Sequence, residues 1–142
     1  MLIIEHNDKV YRLKNTLCRE GAFYFLQGPP VHLQNQTLLP ITGGPVSFFD
    51  TIDTHPNWSF SVGFSTAGLV TWLTPAIGSK VSTATIQYNA SGPTTVNGFA
   101  LSIPSGSLRK LFAAALLPTP IPMVLGDSIR ARFIYEGINV FI

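Results

Sequence analysis

The chain has 142 residues, of which only 11% are charged and 46% are hydrophobic, and its formal net charge is +2. An average soluble domain is about a quarter charged, so this chain is poor in ionic groups while still long enough for one hydrophobic core. This composition excludes a disordered chain, and the small net charge without a run of basic residues excludes a nucleic-acid-binding surface.

Membrane and redox chemistry are also constrained by the sequence. The apolar run at residues 111–117 is far shorter than the roughly 20 residues of a transmembrane helix, so we expect no membrane association. Leu2 is soon followed by the polar stretch that begins at Glu5, so we expect no secretion signal. The single cysteine, Cys18, excludes an internal disulfide and is expected to be a small buried hydrophobe.

Hydrophobicity with a period of two is the main structural signal, as in residues 58–65, where large apolar side chains alternate with Ser and Gly. Turn signals rich in Gly, Pro and Asn separate such stretches. They predict a single all-β domain, a jelly-roll-like β-sandwich, over residues 21–142, and residues 1–20 are predicted to form an N-terminal arm. The strands are predicted, in chain order, at residues 10–13, 22–26, 31–33, 46–49, 58–65, 69–73, 81–88, 95–103 and 128–135. Residues 137–142 are predicted to form either a last short strand or the end of the previous one after a kink at Gly137.

Residues 108–117 are predicted to form a strand or a short turn of helix, and a Pro-rich segment follows. Prolines cannot donate ladder hydrogen bonds, so this segment is expected at a sheet edge or outside the sheet. Its apolar side chains either join the core or contact a neighbouring subunit, and the same alternative applies to Trp72, whose stretch lacks clean alternation. The candidate interface comprises Leu111, Phe112, Leu117, Pro118, Pro120, Ile121, Pro122 and Trp72.

Charge is distributed very unevenly along the chain. Between Thr54 and Gly126 there is no Asp or Glu, and the cations there are Lys80, Arg109 and Lys110. Exposed surface normally carries mixed charge, so this stretch is expected to be covered by other protein. The alternative is a neutral, Ser- and Thr-rich surface that is simply solvated.

Catalytic chemistry finds little support in the sequence. Asp53 and His55 could lie on one side of an extended segment, and residues 63–67 come close to a nucleophile elbow. That elbow requires a strand-to-helix turn, however, whereas a strand is predicted here. The sequence has no metal-ligand spacing and no phosphate-binding glycine loop. We therefore predict no enzyme, no cofactor and no metal, with a hydrolase kept as a third class.

Aromatic residues in predicted strands raise the possibility of sugar binding. Trp58, Trp72 and Tyr88 could stack on pyranose rings if their side chains were exposed on a sandwich face. Trp58 is in phase with Phe60 and Phe64, which instead favours a place in the core.

Five segments of the C-terminal half follow one another in a recognisable series. A Thr-rich strand with its turn (residues 83–93) is followed by a Val-x-Gly-Phe strand (96–101) and an apolar segment with Leu and Phe (109–114). A Pro-Ile-Pro segment (120–122) and a Gly-Asp turn with its strand (126–131) complete the series. Over about residues 60–142, this series resembles small structural proteins of tailed-bacteriophage virions, of the capsid-decoration or head-fibre type.

The resemblance implies a non-enzymatic virion component with a β-sandwich or jelly-roll core. The function expected from it is that of a capsid decoration (cement) protein on the capsid surface, acting as a homo-oligomer in contact with the major capsid protein. The alternative is a tail or head-fibre adhesin that binds a host surface glycan.

Overall fold

Two antiparallel β-sheets make up most of the computed structural model. It describes residues 1–26, 35–73, 81–105 and 108–135. Sheet A contains β1 (Leu2–His6), β2 (Lys9–Leu13), β6 (Val81–Ser82), β7 (Ile86–Asn89) and β10 (Ser128–Tyr135). Sheet B contains β3 (Thr16–Leu17), β4 (Thr37–Gly43), β5 (Trp58–Phe60), β8 (Thr94–Ser105) and β9 (Leu108–Met123). Among the described residues, the helix α1 (Arg19–Leu26) lies between β3 and β4 in the sequence.

The strand order explains how the sheets are assembled. Sheet A runs β2-β1-β10-β6, with β7 also paired to β10, and sheet B runs β3-β9-β8-β4-β5. The main core contains alternate side chains from both sheets, such as Leu2 and Ile4 of β1 with Phe99 and Leu101 of β8. Tyr88 joins the two layers, because its hydroxyl donates to the Leu38 carbonyl. The predicted all-β sandwich is therefore confirmed, while the jelly-roll arrangement stays a prediction.

The N-terminal segment belongs to the sandwich. The sequence predicts an arm over residues 1–20, but β1 lies between β2 and β10, and its residues Leu2, Ile3 and Ile4 are buried. A two-residue turn connects β1 to β2, with φ of 47° at Asn7 and 65° at Asp8. Both residue types tolerate this left-handed conformation, which matches the twist of a hairpin.

The longest strands follow the predicted pattern most closely. Residues 95–103 lie within β8, and residues 128–135 coincide with β10. Residues 108–117 form a strand rather than a helix, and β9 continues through the prolines to Met123. β9 pairs with β8 on one side, but among the described residues its other side pairs with β3 only, at Ala113 and Ala114. The Pro-rich segment therefore lies at a sheet edge, as predicted.

Several short elements differ from the prediction. Residues 22–26 belong to α1, and residues 46–49 form a turn in which Ser47 and Asp50 exchange backbone and side-chain hydrogen bonds. Of residues 58–65 only the first three form a strand, while Leu69 and Trp72 make isolated bridges. Residues 81–88 are split between β6 and β7. The strands predicted at residues 31–33 and 137–142 lie outside the described residues.

β4 is a strand that the sequence pattern missed, because Pro40 interrupts it. Pro40 is opposite Phe99 of β8, and its carbonyl accepts a hydrogen bond from the Ser61 N–H at 2.9 Å. The neighbouring strand β5 already ends at Phe60, so the missing N–H of Pro40 removes little from the ladder.

A partial third layer covers the outer face of sheet B. It is made by α1 and the segment 44–57, and its own small core contains Cys18, Trp58, Leu111 and Ala114. The Cys18 N–H donates to the Phe112 carbonyl at 3.0 Å, which holds the start of the helix against β9. Both faces of β9 are consequently buried over residues 111–115.

Candidate functional site

The predicted interface separates into buried and exposed residues. Four of its members have core positions and cannot contact a partner directly: Leu111, Phe112, Leu117 and Ile121. Three prolines of the same strand are exposed: Pro118, Pro120 and Pro122. The sequence could not separate these groups, because the bulge in β9 and the third layer bury residues on both faces of the strand.

Trp72, the remaining predicted interface residue, is half-buried. Its indole Nε1 donates to Gln36 Oε1 at 2.9 Å, and its backbone bridges to Thr83. The indole packs against the main core. Trp72 therefore closes the sandwich beside β6 and offers only part of its ring to solvent.

Three strongly exposed aliphatic side chains lie at one end of the sandwich. Val62 is 78% exposed, Leu125 is 73% exposed and Val124 is 60% exposed. We call these three residues the apolar tip. The sequence placed Val62 on the apolar face of a predicted strand, left Val124 as either a core or a contact residue, and did not single out Leu125, although the pair Val124-Leu125 directly before a Gly-Asp turn is a signal that could have indicated exposed apolar residues.

Hydrogen bonds between three loops hold the apolar tip together. Ser91 uses both its N–H and its hydroxyl to donate to the Gly63 carbonyl, each at a distance near 3 Å (2.8 Å and 2.9 Å). The Gly126 N–H donates to the Ala90 carbonyl at 3.1 Å, and the Ala90 N–H donates to the Asp127 carbonyl at 2.8 Å. The loop that carries Val62 and the turn after Val124 are thus tied to the same segment, so the tip is held by fixed backbone.

A second exposed apolar group lies on the third layer. Phe23 of α1 and the adjacent Phe48 and Phe49 are all exposed, and the last two rings pack edge to face with centroids 5.3 Å apart. The Phe48 carbonyl accepts a hydrogen bond from the Arg19 N–H at 2.8 Å, which links this loop to the helix.

Two carboxylates stabilise the third layer from inside. Glu20 Oε1 accepts hydrogen bonds from the N–H groups of Ile52 and Leu111, at 3.2 Å and 3.1 Å, and Glu20 Oε2 lies 3.3 Å from Lys110 Nζ. Asp50 Oδ2 accepts from Trp58 Nε1 at 2.8 Å and from the Ser47 N–H. Each carboxylate satisfies donors that would otherwise be buried without partners, which is a structural role.

Cys18 lies between these carboxylates and is fully buried. Burial, and then the negative charges of Asp50 and Glu20, raise the pKa of its thiol from 9.0 to about 12. A thiol that stays protonated is a poor nucleophile, so this environment matches the prediction of a small buried hydrophobe.

The proposed dyad of Asp53 and His55 gains no catalytic geometry from the fold. His55 Nδ1 lies 2.8 Å from the Trp58 carbonyl, which can only accept, so this nitrogen donates. The imidazole stacks on the Trp58 indole with centroids 4.3 Å apart. Among the described residues, neither Asp53 nor Ser65 makes a hydrogen bond to His55. His55 therefore helps to fix the loop before β5.

Charge is concentrated on one sheet. The strands of sheet A carry Glu5, Lys9, Arg12, Arg130 and Arg132, whereas those of sheet B carry Arg109 and Lys110. Part of the neutral face that the sequence assigned to another protein is covered instead by the third layer of the same chain. The exposed neutral surface that remains includes the apolar tip and the three prolines of β9.

The two cations of sheet B are used internally. Arg109 donates to Ser102 Oγ at 3.0 Å and to the Asn35 carbonyl at 2.7 Å, and burial lowers the pKa of its guanidinium. Lys110 pairs with Glu20, as described above. Neither therefore gives sheet B a free basic surface.

The sugar-stacking alternative loses two of its three aromatic residues. Trp58 and Tyr88 are buried, so neither presents a free ring face. Within the described residues, no three His, Cys, Asp or Glu side chains converge to hold a metal ion. No helix in the same part of the chain is long and apolar enough to span a bilayer.

Comparisons with protein-family models, with curated proteins and with solved structures find no match to this chain.

Proposed function

We propose that this chain is a non-enzymatic structural subunit that decorates and stabilises the capsid of a tailed bacteriophage, where it contacts the major capsid protein and its own copies. The observation that carries the proposal is the apolar tip, with Val62, Val124 and Leu125 exposed on hydrogen-bonded loops. Exposed apolar side chains grouped in this way are typical of interaction surfaces.

The energetics of such a contact favour repetition. Burying the side chains of the apolar tip in a neighbouring subunit contributes about 2 kcal/mol each before the entropy of association is subtracted. This is too little for tight binding of a single copy. In a shell, many equivalent sites act together, so a modest contact for each copy can still stabilise the particle.

The low charge of the surface around the tip supports the same proposal. Asp127 is the ionic side chain of the turn that carries the tip, and its Oδ2 accepts from the Val124 N–H at 3.0 Å. Desolvating this surface therefore costs less than desolvating a charged one.

The number of copies in purified virions tests the proposal. Quantitative mass spectrometry of particles should find this chain at a copy number similar to the number of major-capsid-protein hexamers. Heads that lack it should lose DNA at a lower temperature than complete heads. A few copies per particle, together with binding of the purified chain to host cells, would instead support the adhesin alternative. Absence from particles would refute both.

A further inference from the structure

The edges of the two sheets differ in whether another strand can pair with them. In sheet B, β9 carries three exposed prolines, which cannot donate a hydrogen bond to a further strand, and the opposite edge strand, β5, has only three residues. In sheet A, the edge strand β2 has five residues, contains neither Pro nor Gly, and pairs only with β1 among the described strands. An edge of this kind is a template for a further strand.

The hydrogen bonds between β1 and β10 determine which backbone groups of β2 point outward. Met1 and Ile134 exchange two bonds at 2.8 Å, one in each direction, so they form a hydrogen-bonded pair of the ladder between β1 and β10. Such pairs alternate along antiparallel strands, so β1 uses its even-numbered residues to bind β2. The partner of Ile4 is Tyr11, which therefore bonds inward, and the N–H and C=O groups of Val10 and Arg12 point away from β1.

We propose that β2 is a self-association edge, on which two copies of this chain pair antiparallel about a two-fold axis at Tyr11. This register places Val10 of each copy opposite Arg12 of the other. Both are outward-bonding residues, so each such pair exchanges two backbone hydrogen bonds. It also overlaps the whole of β2 and joins two copies of sheet A into one continuous sheet.

The charges near β2 favour this register. The cations Lys9, Arg12 and Lys14 would repel an identical strand if like charges were directly opposite one another. In the proposed register Arg12 faces Val10 and Lys9 faces Leu13, and Lys14, directly after β2, comes near Asp8 in the turn directly before it. Asp8 and Lys14 are both exposed in the single chain, so they are available to form this contact.

Side chains at the axis add a further contact. Tyr11 of one copy lies opposite Tyr11 of the other, in a non-hydrogen-bonded pair, where side chains approach most closely. Tyr11 is half-buried and packs against the main core, so its position is already fixed in the single chain. A fixed aromatic loses less rotamer entropy when a second ring packs on it.

This inference depends on the proposed function in one respect, namely that the chain associates with its own copies. It goes further by assigning the strand, the register and the symmetry. Binding to capsids does not require the β2 contact, because the apolar tip is formed by other loops, so the two proposals can be tested separately.

The first test compares Val10→Pro with Val10→Thr by sedimentation velocity over a range of concentrations. Proline removes an N–H that the single chain does not use, so the fold should survive, while threonine keeps the donor. We expect a dimer in the parent and in Val10→Thr, and a dissociation constant raised about tenfold or more in Val10→Pro, because each copy loses one intermolecular bond. Thermal unfolding checks that all three proteins are folded.

The second test is oxidative cross-linking at the axis and does not depend on the proline variant. The Cα atoms of two Tyr11 residues would lie about 4.5 Å apart, within the range of a disulfide, whereas the two Arg12 residues are diagonal and too distant. Tyr11→Cys should therefore form a covalent dimer under mild oxidation, and Arg12→Cys should not.

The outcomes separate the two proposals. The β2 contact is overturned if the chain stays monomeric, even if it binds capsids. It is also overturned if the chain forms a dimer that persists in Val10→Pro while Tyr11→Cys fails to cross-link. Pairing of β2 only with an acidic strand of another protein overturns it as well. A β2 dimer that is absent from virions supports this inference and refutes the proposed function.

Discussion

At the scale of single residues, Gly21 determines whether the third layer can form. It lies in α1 where the helix approaches β9, and a Cβ built on it would lie 2.1 Å from the Phe112 carbonyl oxygen. A backbone oxygen cannot move aside as a flexible side chain can. The helix therefore depends on glycine at this position despite the low helix propensity of that residue.

Gly21→Ala is accordingly expected to destabilise the protein by about 2 kcal/mol, because the helix must shift away from β9. Denaturant unfolding followed by circular dichroism measures the change. Gly92→Ala is the matched control, since no heavy atom lies within 4 Å of a Cβ at that position. The control should be neutral or slightly stabilising. Equal stability of the two variants would show that α1 does not pack on β9 as described.

The buried thiol of Cys18 should make the free energy of unfolding depend on pH in the alkaline range. The pKa of its thiol is raised to about 12 in the fold, whereas the ordinary value is 9.0. Above about pH 9 the unfolded chain loses this proton and the folded chain keeps it. The free energy of unfolding should therefore fall by up to about 1.4 kcal/mol per pH unit as the pH rises toward 12.

The comparison between the parent and Cys18→Ala isolates this contribution. Burial also raises the pKa of Tyr88, from 10.0, so the cleanest interval is between about pH 9 and pH 10. Chemical denaturation at several pH values in this interval should show a smaller decline for Cys18→Ala. Parallel declines in the two proteins would contradict the assigned thiol environment.

At the scale of elements, the long strands were predictable and the third layer was not. In β8 and β10, large apolar side chains alternate with small or polar ones, and this pattern survives because one face is buried against the other sheet. Residues 22–26 have the composition of a strand but form a helix, because Gly21 allows close packing on β9. That contact spans a large separation along the chain, which local pattern does not encode.

The candidate interface illustrates the same limit. Leu111 and Phe112 are buried on opposite faces of β9, one beneath α1 and one between the sheets. Without knowledge of the third layer, an apolar residue on the outer face of a sheet resembles an interface residue. The exposed tip was not singled out for the converse reason: Val124 resembles the end of an apolar strand, so the sequence left it as either a core or a contact residue.

The prolines of β9 are expected to protect this edge of sheet B from pairing with strands of other copies. Pro118 and Pro120 lie in the bulge between Leu116 and Ile121, where β9 has no partner in β8, and Pro122 is opposite Thr95. None of the three has an N–H to donate to a further strand at this edge. Replacing Pro120 and Pro122 together with Thr should restore two donors and increase assembly into species larger than a dimer, as measured by light scattering. Loss of monomer stability should stay near 1 kcal/mol.

Pro93→Thr is the control for the edge variant, because Pro93 is exposed in a turn rather than at the edge. It should lose similar rigidity without gaining a strand donor. If the double variant remains as soluble as the control, the prolines do not protect this edge.

At the scale of the whole molecule, charge and apolar exposure are segregated. Sheet A carries most of the charged strand residues, and the apolar tip lies at the end formed by three uncharged or nearly uncharged loops. A subunit arranged in this way can pair through a polar edge and dock through an apolar end at the same time. The two surfaces are formed by different residues, so substitutions should separate their effects.

The double substitution of Val62 and Leu125 with Asp tests whether the apolar tip contacts the particle. Both side chains are largely exposed, so the free energy of unfolding should change by no more than about 0.5 kcal/mol for each site. If the tip is buried in a particle, occupancy should fall at least about tenfold, since the contact loses two buried apolar groups and must desolvate two charges. Quantitative mass spectrometry of particles assembled with each variant measures occupancy.

Leu108→Asp is the matched control for the tip variant, because Leu108 is 64% exposed at the opposite end of β9 from Val124. It makes the same change from an exposed aliphatic side chain to a carboxylate, and it should leave occupancy unchanged. An equal loss in both variants would mean that added negative charge alone prevents binding. Normal occupancy of the tip variant would mean that the particle contacts a different surface, and the function proposed from the tip would then lose its main support.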